Sequence, residues 1–104
     1  WFGCNVSSFK IMDTLRYKIP HTGWNQIKIK KQSRLMKNIS ENSEFYFVHS
    51  FHIKNEDVKD ILNTTQYDYS FTSALEKDNI FGVQYHPEKS HTVGLKVLEN
   101  FINI

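Results

Sequence analysis

Apolar and polar positions alternate most sharply in "EFYFVHSF" (44–51), a run dense in aromatic and β-branched residues that predicts a strand. "NIFGVQYHP" (79–87) repeats the pattern after a Lys-Asp-Asn turn and predicts a second strong strand from Ile80 to near Tyr85. Between them lie a short acidic link, a strand over Ile61 to Tyr67, a turn at Asp68 and a strand over Phe71 to Leu75. Upstream, Trp1 to Phe9 alternate loosely and suit a short strand that Gly3 weakens. Pro20 and Gly23 oppose a helix through residues 10–31, which read instead as two extended pieces joined by a turn around "PHTGWN". Arg34 to Ile39 carry enough helical periodicity for a single turn. From Thr92 onward Val93, Val97, Leu98 and Phe101 recur at helical spacing, so the chain is expected to close on a helix.

About six strands followed by one helix is an odd domain by itself, and it is what half of an α/β fold would look like. The length of 104 residues supports one small domain or part of one. A hydrophobic content of 39% with 14% aromatics is too rich for disorder. The formal charge of +2, from 13 basic and 11 acidic residues, gives no electrostatic case for a nucleic acid or a membrane. Only "QIKIKKQSR" (26–34) concentrates positive charge, and lysines in such a run suit a solvated edge strand or loop. The single cysteine, Cys4, rules out an internal disulfide and fits a reducing compartment. With neither a bilayer-length apolar run nor a signal-peptide pattern, the expected location is cytoplasmic. The opening "WFGCNV", already in strand-like alternation and without an initiator methionine, reads like the middle of a longer chain.

The chemistry concentrates in "GVQYHPEKS" (82–90). His86 is expected at the carboxyl end of a strand, where open α/β sheets place their ligand crevices, and Pro87 keeps its backbone extended. With one residue between them in an extended segment, His86 and Glu88 leave on the same side, so the carboxylate can accept an imidazole N–H. That contact would fix the tautomer and leave the other ring nitrogen as a base. Spacing alone leaves two readings open, a catalytic pair or an idle solvent-exposed turn. A metal site built from His49, His52, His86, Glu88 and His91 is not expected: on one strand His49 and His52 point to opposite faces, and neither C-x-x-C nor H-E-x-x-H occurs.

The whole string resembles the closing motif of the class I, or triad, glutamine amidotransferases, in which a glycine, an apolar residue, Gln and an aromatic precede His-Pro-Glu. "IPHTGWNQ" (19–26), "FYFVHSF" (45–51) and the tail "GLKVLENFINI" (94–104) are similar to the glutaminase subunits of imidazole glycerol phosphate synthases within that family. The resemblance covers nearly the whole chain. It implies the carboxy-terminal part of a flavodoxin-like, three-layer α/β domain, strand-rich with a closing helix. It implies that His86 and Glu88 are the second and third members of a Cys-His-Glu triad, and that His49, Ser50 and Phe51 line the glutamine pocket. Trp24, Asn25, Tyr46 and Lys89 match positions facing a β/α-barrel cyclase near an ammonia passage, although Trp24 and Tyr46 would serve equally as core aromatics. No cofactor is implied.

The family's nucleophile sits in a G-x-C-x-G turn, which this sequence lacks, and Cys4 in "FGCNV" is not expected to replace it. The resemblance thus implies residues 1–104 as the carboxy-terminal half of an amidotransferase, inactive toward glutamine in isolation. Two alternatives stay open: a catalytically inactive relative that still docks on the partner, and the same glutaminase chemistry feeding a sugar-amination synthase.

Overall fold

The structure, a computed structural model, describes residues 5–11, 16–54 and 57–104. Within them lie eight strands: β1 (Asn5–Ser8), β2 (His21–Gln26), β3 (Lys28–Ile29), β4 (Glu44–His49), β5 (Phe51–Lys54), β6 (Ile61–Tyr67), β7 (Tyr69–Lys77) and β8 (Ile80–Val83). One α-helix, α1 (His91–Ile102), closes the chain. Every ladder is antiparallel: β1 pairs with β5, β2 with β4, and β3-β6-β7-β8 form a four-stranded sheet.

The alternation in β4 has a direct structural reading. Phe45 and Phe47 are fully buried, and Glu44 and Val48 on the opposite side are exposed. Burial of each phenylalanine contributes on the order of 2–3 kcal/mol. They join Phe9, Ile27, Leu35, Leu62, Phe71, Ala74, Tyr85 and Val97 in one core. β7 is covered on both faces from Phe71 to Leu75, so its buried polar groups need internal partners. Ser73 meets that need by accepting a hydrogen bond from Thr65 at 2.8 Å.

The expected β6 has the expected bounds, and the turn after it places Asp68 at φ +66°, a conformation aspartate tolerates better than most residues. The following strand is longer than its aromatic and β-branched run suggests, because pairing of Tyr69 with Tyr67 on β6 and of Lys77 with Ile80 on β8 extends it at its two ends. "PHTGWN" is a different matter: most of it is strand β2, where a turn is expected. The reason is register. His21 to Gln26 pair residue by residue with His49 back to Glu44, and Gly23, opposite Phe47, takes up a φ of +122° that other residues avoid. Residues 33–39 form a hydrogen-bonded turn rather than a helix, with Met36 N–H donating to Ser33 and Ile39 N–H to Met36. Of the strand expected over Trp1 to Phe9, β1 covers Asn5–Ser8; Gly3 and Cys4 lie outside the described residues.

Helical spacing located α1 well but did not choose its buried face. Val97 is buried and Val93 half-buried, whereas Leu98 and Phe101 are exposed. The helix is seated instead by Gly94 against the Pro87 turn and by Asn100, whose side-chain amide donates to the carbonyls of Leu35 and Lys37 at 2.9 and 2.8 Å. No helix among the described residues is long and apolar enough to cross a membrane.

Candidate active site

β8 delivers His86 to the surface, and the segment around it is fastened to Tyr46 of β4 by two hydrogen bonds. The His86 N–H donates to the Tyr46 carbonyl at 2.9 Å. The Ser90 hydroxyl, fully buried, donates to the His86 carbonyl at 2.6 Å and accepts the Tyr46 N–H at 3.0 Å. Pro87–Lys89 then form a 3-10 turn whose last contact is the Ser90 N–H on the Pro87 carbonyl, 3.1 Å. Gly94 permits α1 to lie against this turn, since a Cβ there would fall 1.9 Å from the Pro87 carbonyl oxygen.

The turn brings His86 Nδ1 to 3.0 Å from Glu88 Oε2. The expected pair is therefore formed, but by a different route: residue 88 lies in a 3-10 turn and not in an extended segment. Its side chains are 35% and 59% exposed, so the pair is open to solvent on one side. The backbone N–H of Glu88 itself, followed by the His86 imidazole, holds the Glu88 carboxyl below the usual carboxylate range. An ionised Glu88 accepts from Nδ1–H, which leaves Nε2 of a neutral His86 as a base.

A second histidine pair lies deeper. His21 on β2 and His49 on β4 are partners in the ladder, and His21 Nδ1 is 2.8 Å from His49 Nε2. His21 is buried between the rings of Phe47 and Tyr67, and that burial, followed by the neighbouring His49, lowers its pKa to about 4. His49 is lowered as well, chiefly by burial, with the Phe51 carbonyl opposing and His52 and His86 reinforcing the effect.

The expectation that His49 and His52 face opposite ways does not hold. A bend at Ser50 separates β4 from β5, so the two-residue alternation is broken between them. Both rings lie 4.9 Å from the ring of Phe9, and at 5.3 and 5.8 Å from that of Phe71. Even so, no three His, Cys, Asp or Glu side chains among the described residues gather as metal ligands. Ser50 is half-buried and its carbonyl accepts the Phe9 N–H, while the Phe51 ring is exposed.

Trp24 and Tyr46 are not core residues. They are register partners with rings 5.9 Å apart, Trp24 is 43% exposed, and the Trp24 indole stacks on His91 at 5.1 Å beside the His86 turn. Lys89 is exposed on the same turn. Asn25 points to the other side of β2, where it bonds to His21 and Gln66. His21 and Ser90 stand inside the strings that carry the family resemblance, but no separate role for them is legible there, because each acquires it from a partner 28 or 44 residues away. Gly94 left only the signal of an isolated glycine inside a helical pattern.

The family described as glutamine amidotransferase class-I matches residues 2–104, and the chain belongs to that family. Its similarity is strong to the imidazole glycerol phosphate synthase subunit HisH 2 of Methanococcus maripaludis, 53% identical over 94% of this chain and 48% of that protein. The HisH subunit of Methanocaldococcus jannaschii is 47% identical over 96% of this chain and again 48% of its own length. The chain thus spans about half the length of the curated relatives it matches. Among solved structures, a Thermoplasma acidophilum protein described as a GMP synthase subunit superposes with a TM-score of 0.76 at 19% identity, over 98% of this chain and 48% of that one, and shares the fold.

Proposed function

We propose that this chain supplies the general base and its orienting carboxylate to a glutaminase site, in a protein that hydrolyses glutamine and passes the ammonia to a cyclase making imidazole glycerol phosphate. The observation that carries the reading is the His86–Glu88 contact of 3.0 Å on a turn fastened to β4. Identities of 53% and 47% to HisH subunits support this synthase over a sugar-aminating one.

In this reading His86 Nε2 takes the proton of a cysteine thiol, the thiolate attacks the glutamine amide carbonyl, and the imidazolium returns the proton to the departing ammonia. Glu88 keeps Nδ1–H in place and stabilises the imidazolium as it forms. The nucleophile comes from outside the described residues, and Cys4 is assigned no part in the step. His49, Ser50 and Phe51 border the glutamine, and Trp24, Tyr46 and Lys89 contribute to the face that meets a β/α-barrel cyclase. In isolation residues 1–104 are expected to release no ammonia from glutamine.

The test is glutaminase turnover by the full-length amidotransferase carrying this chain, assembled with its cyclase. Replacing His86 by Ala should lower ammonia release about a thousandfold while leaving the assembly intact. Normal release by that variant would overturn the reading, and an assembly that forms but never turns over glutamine would favour a docking role without catalysis.

A further inference from the structure

The deeper histidine pair belongs to a hydrogen-bonded chain whose protons can be placed in only one way. Its anchor is Asn25: the Gln26 N–H donates to Oδ1 at 2.8 Å, and Nδ2 donates to the Gln66 carbonyl at 2.8 Å, which fixes the amide's orientation at both ends. Nδ2 also faces His21 Nε2 at 3.2 Å, so Nε2 accepts and the His21 proton sits on Nδ1. His21 Nδ1–H then donates to His49 Nε2 at 2.8 Å. His49 in turn carries its own proton on Nδ1 and donates it to the Phe51 carbonyl at 2.8 Å. Stacking of the His21 ring on Tyr67 at 3.9 Å and on Phe47 at 4.9 Å prevents it from turning over.

We infer that His21, oriented by Asn25, is a positioning residue for the glutamine site: through His49 it holds the Phe51 carbonyl and the 49–51 segment in a single arrangement. The inference rests on the reading above that this segment borders the substrate. The chain joins three separate strands, β2, β4 and β6, to the bend at Ser50, where the β2–β4 ladder ends and the Phe9 N–H on the Ser50 carbonyl is the neighbouring backbone tie. The low basicity of both rings keeps them neutral near pH 7, as the single proton assignment requires. β2 presents Trp24 outward and His21 and Asn25 inward, so the strand proposed to meet the cyclase is also the one that braces the pocket.

Two measurements on the full-length amidotransferase assembled with its cyclase test this. The first is steady-state glutamine kinetics of His21→Phe, which keeps the ring stack and removes both hydrogen bonds. The glutamine KM should rise about tenfold, the worth of one buried hydrogen bond and an orphaned acceptor, with kcat nearly unchanged. His21→Asn restores a donor toward His49 and should recover part of the loss. The second is the 15N signature of the two imidazoles in wild type, expected to report neutral rings protonated on Nδ1 at pH 7. A KM that does not move in His21→Phe, a kcat loss at constant KM, or an Nε2–H form of either ring overturns the assignment. If His21→Phe fails to fold, the wild-type tautomers decide it. A wild-type assembly inert toward glutamine overturns the functional reading and this one with it, whereas normal wild-type turnover with an unmoved KM in the variant overturns the positioning role alone.

Discussion

The molecule holds two histidine pairs whose environments set opposite chemistry. His86 and Glu88 are two residues apart, partly exposed, and paired imidazole to carboxylate. His21 and His49 are 28 residues apart, set into the strand ladder, and paired imidazole to imidazole. A carboxylate beside an imidazole in contact with water can stabilise the imidazolium of a proton transfer. Two imidazoles packed among aromatic rings cannot both charge, so the second pair stays neutral and is fit to hold a shape. The same side chain is thus suited to proton transfer in one place and to holding a shape in the other by what surrounds it.

The two pairs should differ most at His86. His86→Ala should cost about a thousandfold in glutaminase turnover, the size expected for loss of a general base, while His21→Phe should leave kcat nearly intact. Equal kcat losses in both would erase the distinction; stopped-assay ammonia release measures it. The pH dependence of stability separates the pairs next. An unfolded His21 takes a proton below about 6.5, while the folded one resists until about 4, so stability is retained above that window and lost as pH falls through it. The loss amounts to up to about 3 kcal/mol, and in His21→Phe the difference between urea midpoints at pH 7 and pH 4.5 should shrink accordingly, the remainder belonging to His49, which is also lowered. Glu88, also lowered, loses its contribution only as pH falls below its ordinary value of 4.5.

Gly94→Ala should disturb the exposed pair and spare the buried one. Its Cβ would lie 1.9 Å from the Pro87 carbonyl oxygen, and the conflict should cost about 2 kcal/mol of stability and shift the His86 turn without touching the His21 tautomer. Denaturant melts and the 15N imidazole spectrum together check this. The smallest effect is expected at Glu88. Because the carboxylate is exposed, Glu88→Gln should lower kcat about ten- to thirtyfold with the glutamine KM unchanged; a variant with full turnover would remove Glu88 from the mechanism.

Several features were legible because they are local. The alternation around Phe45 and Phe47, the bounds of β6, the turn at Asp68 and the His-Pro-Glu pair each depend on residues a few positions apart. Pro87 fixed the local backbone closely enough that the pair forms although its turn is 3-10 and not extended. Residues 20–25 were misleading for the converse reason. Proline and glycine signal a turn, but six consecutive partners on β4 hold His21–Gln26 extended, and Gly23 adapts to it at φ +122°.

By itself, then, the sequence determined the strand-rich order with its closing helix, the position of the candidate base and its carboxylate, and the family to which the chain belongs, since each follows from short-range pattern. The tertiary structure decided which face of α1 is buried, that His49 and His52 share a side, that Ser90 ties the His86 turn to β4, and that His21 and His49 stay neutral. Those outcomes depend on strand register and on burial, which bring together residues far apart in the chain and set the dielectric around them; no short window of sequence contains that information.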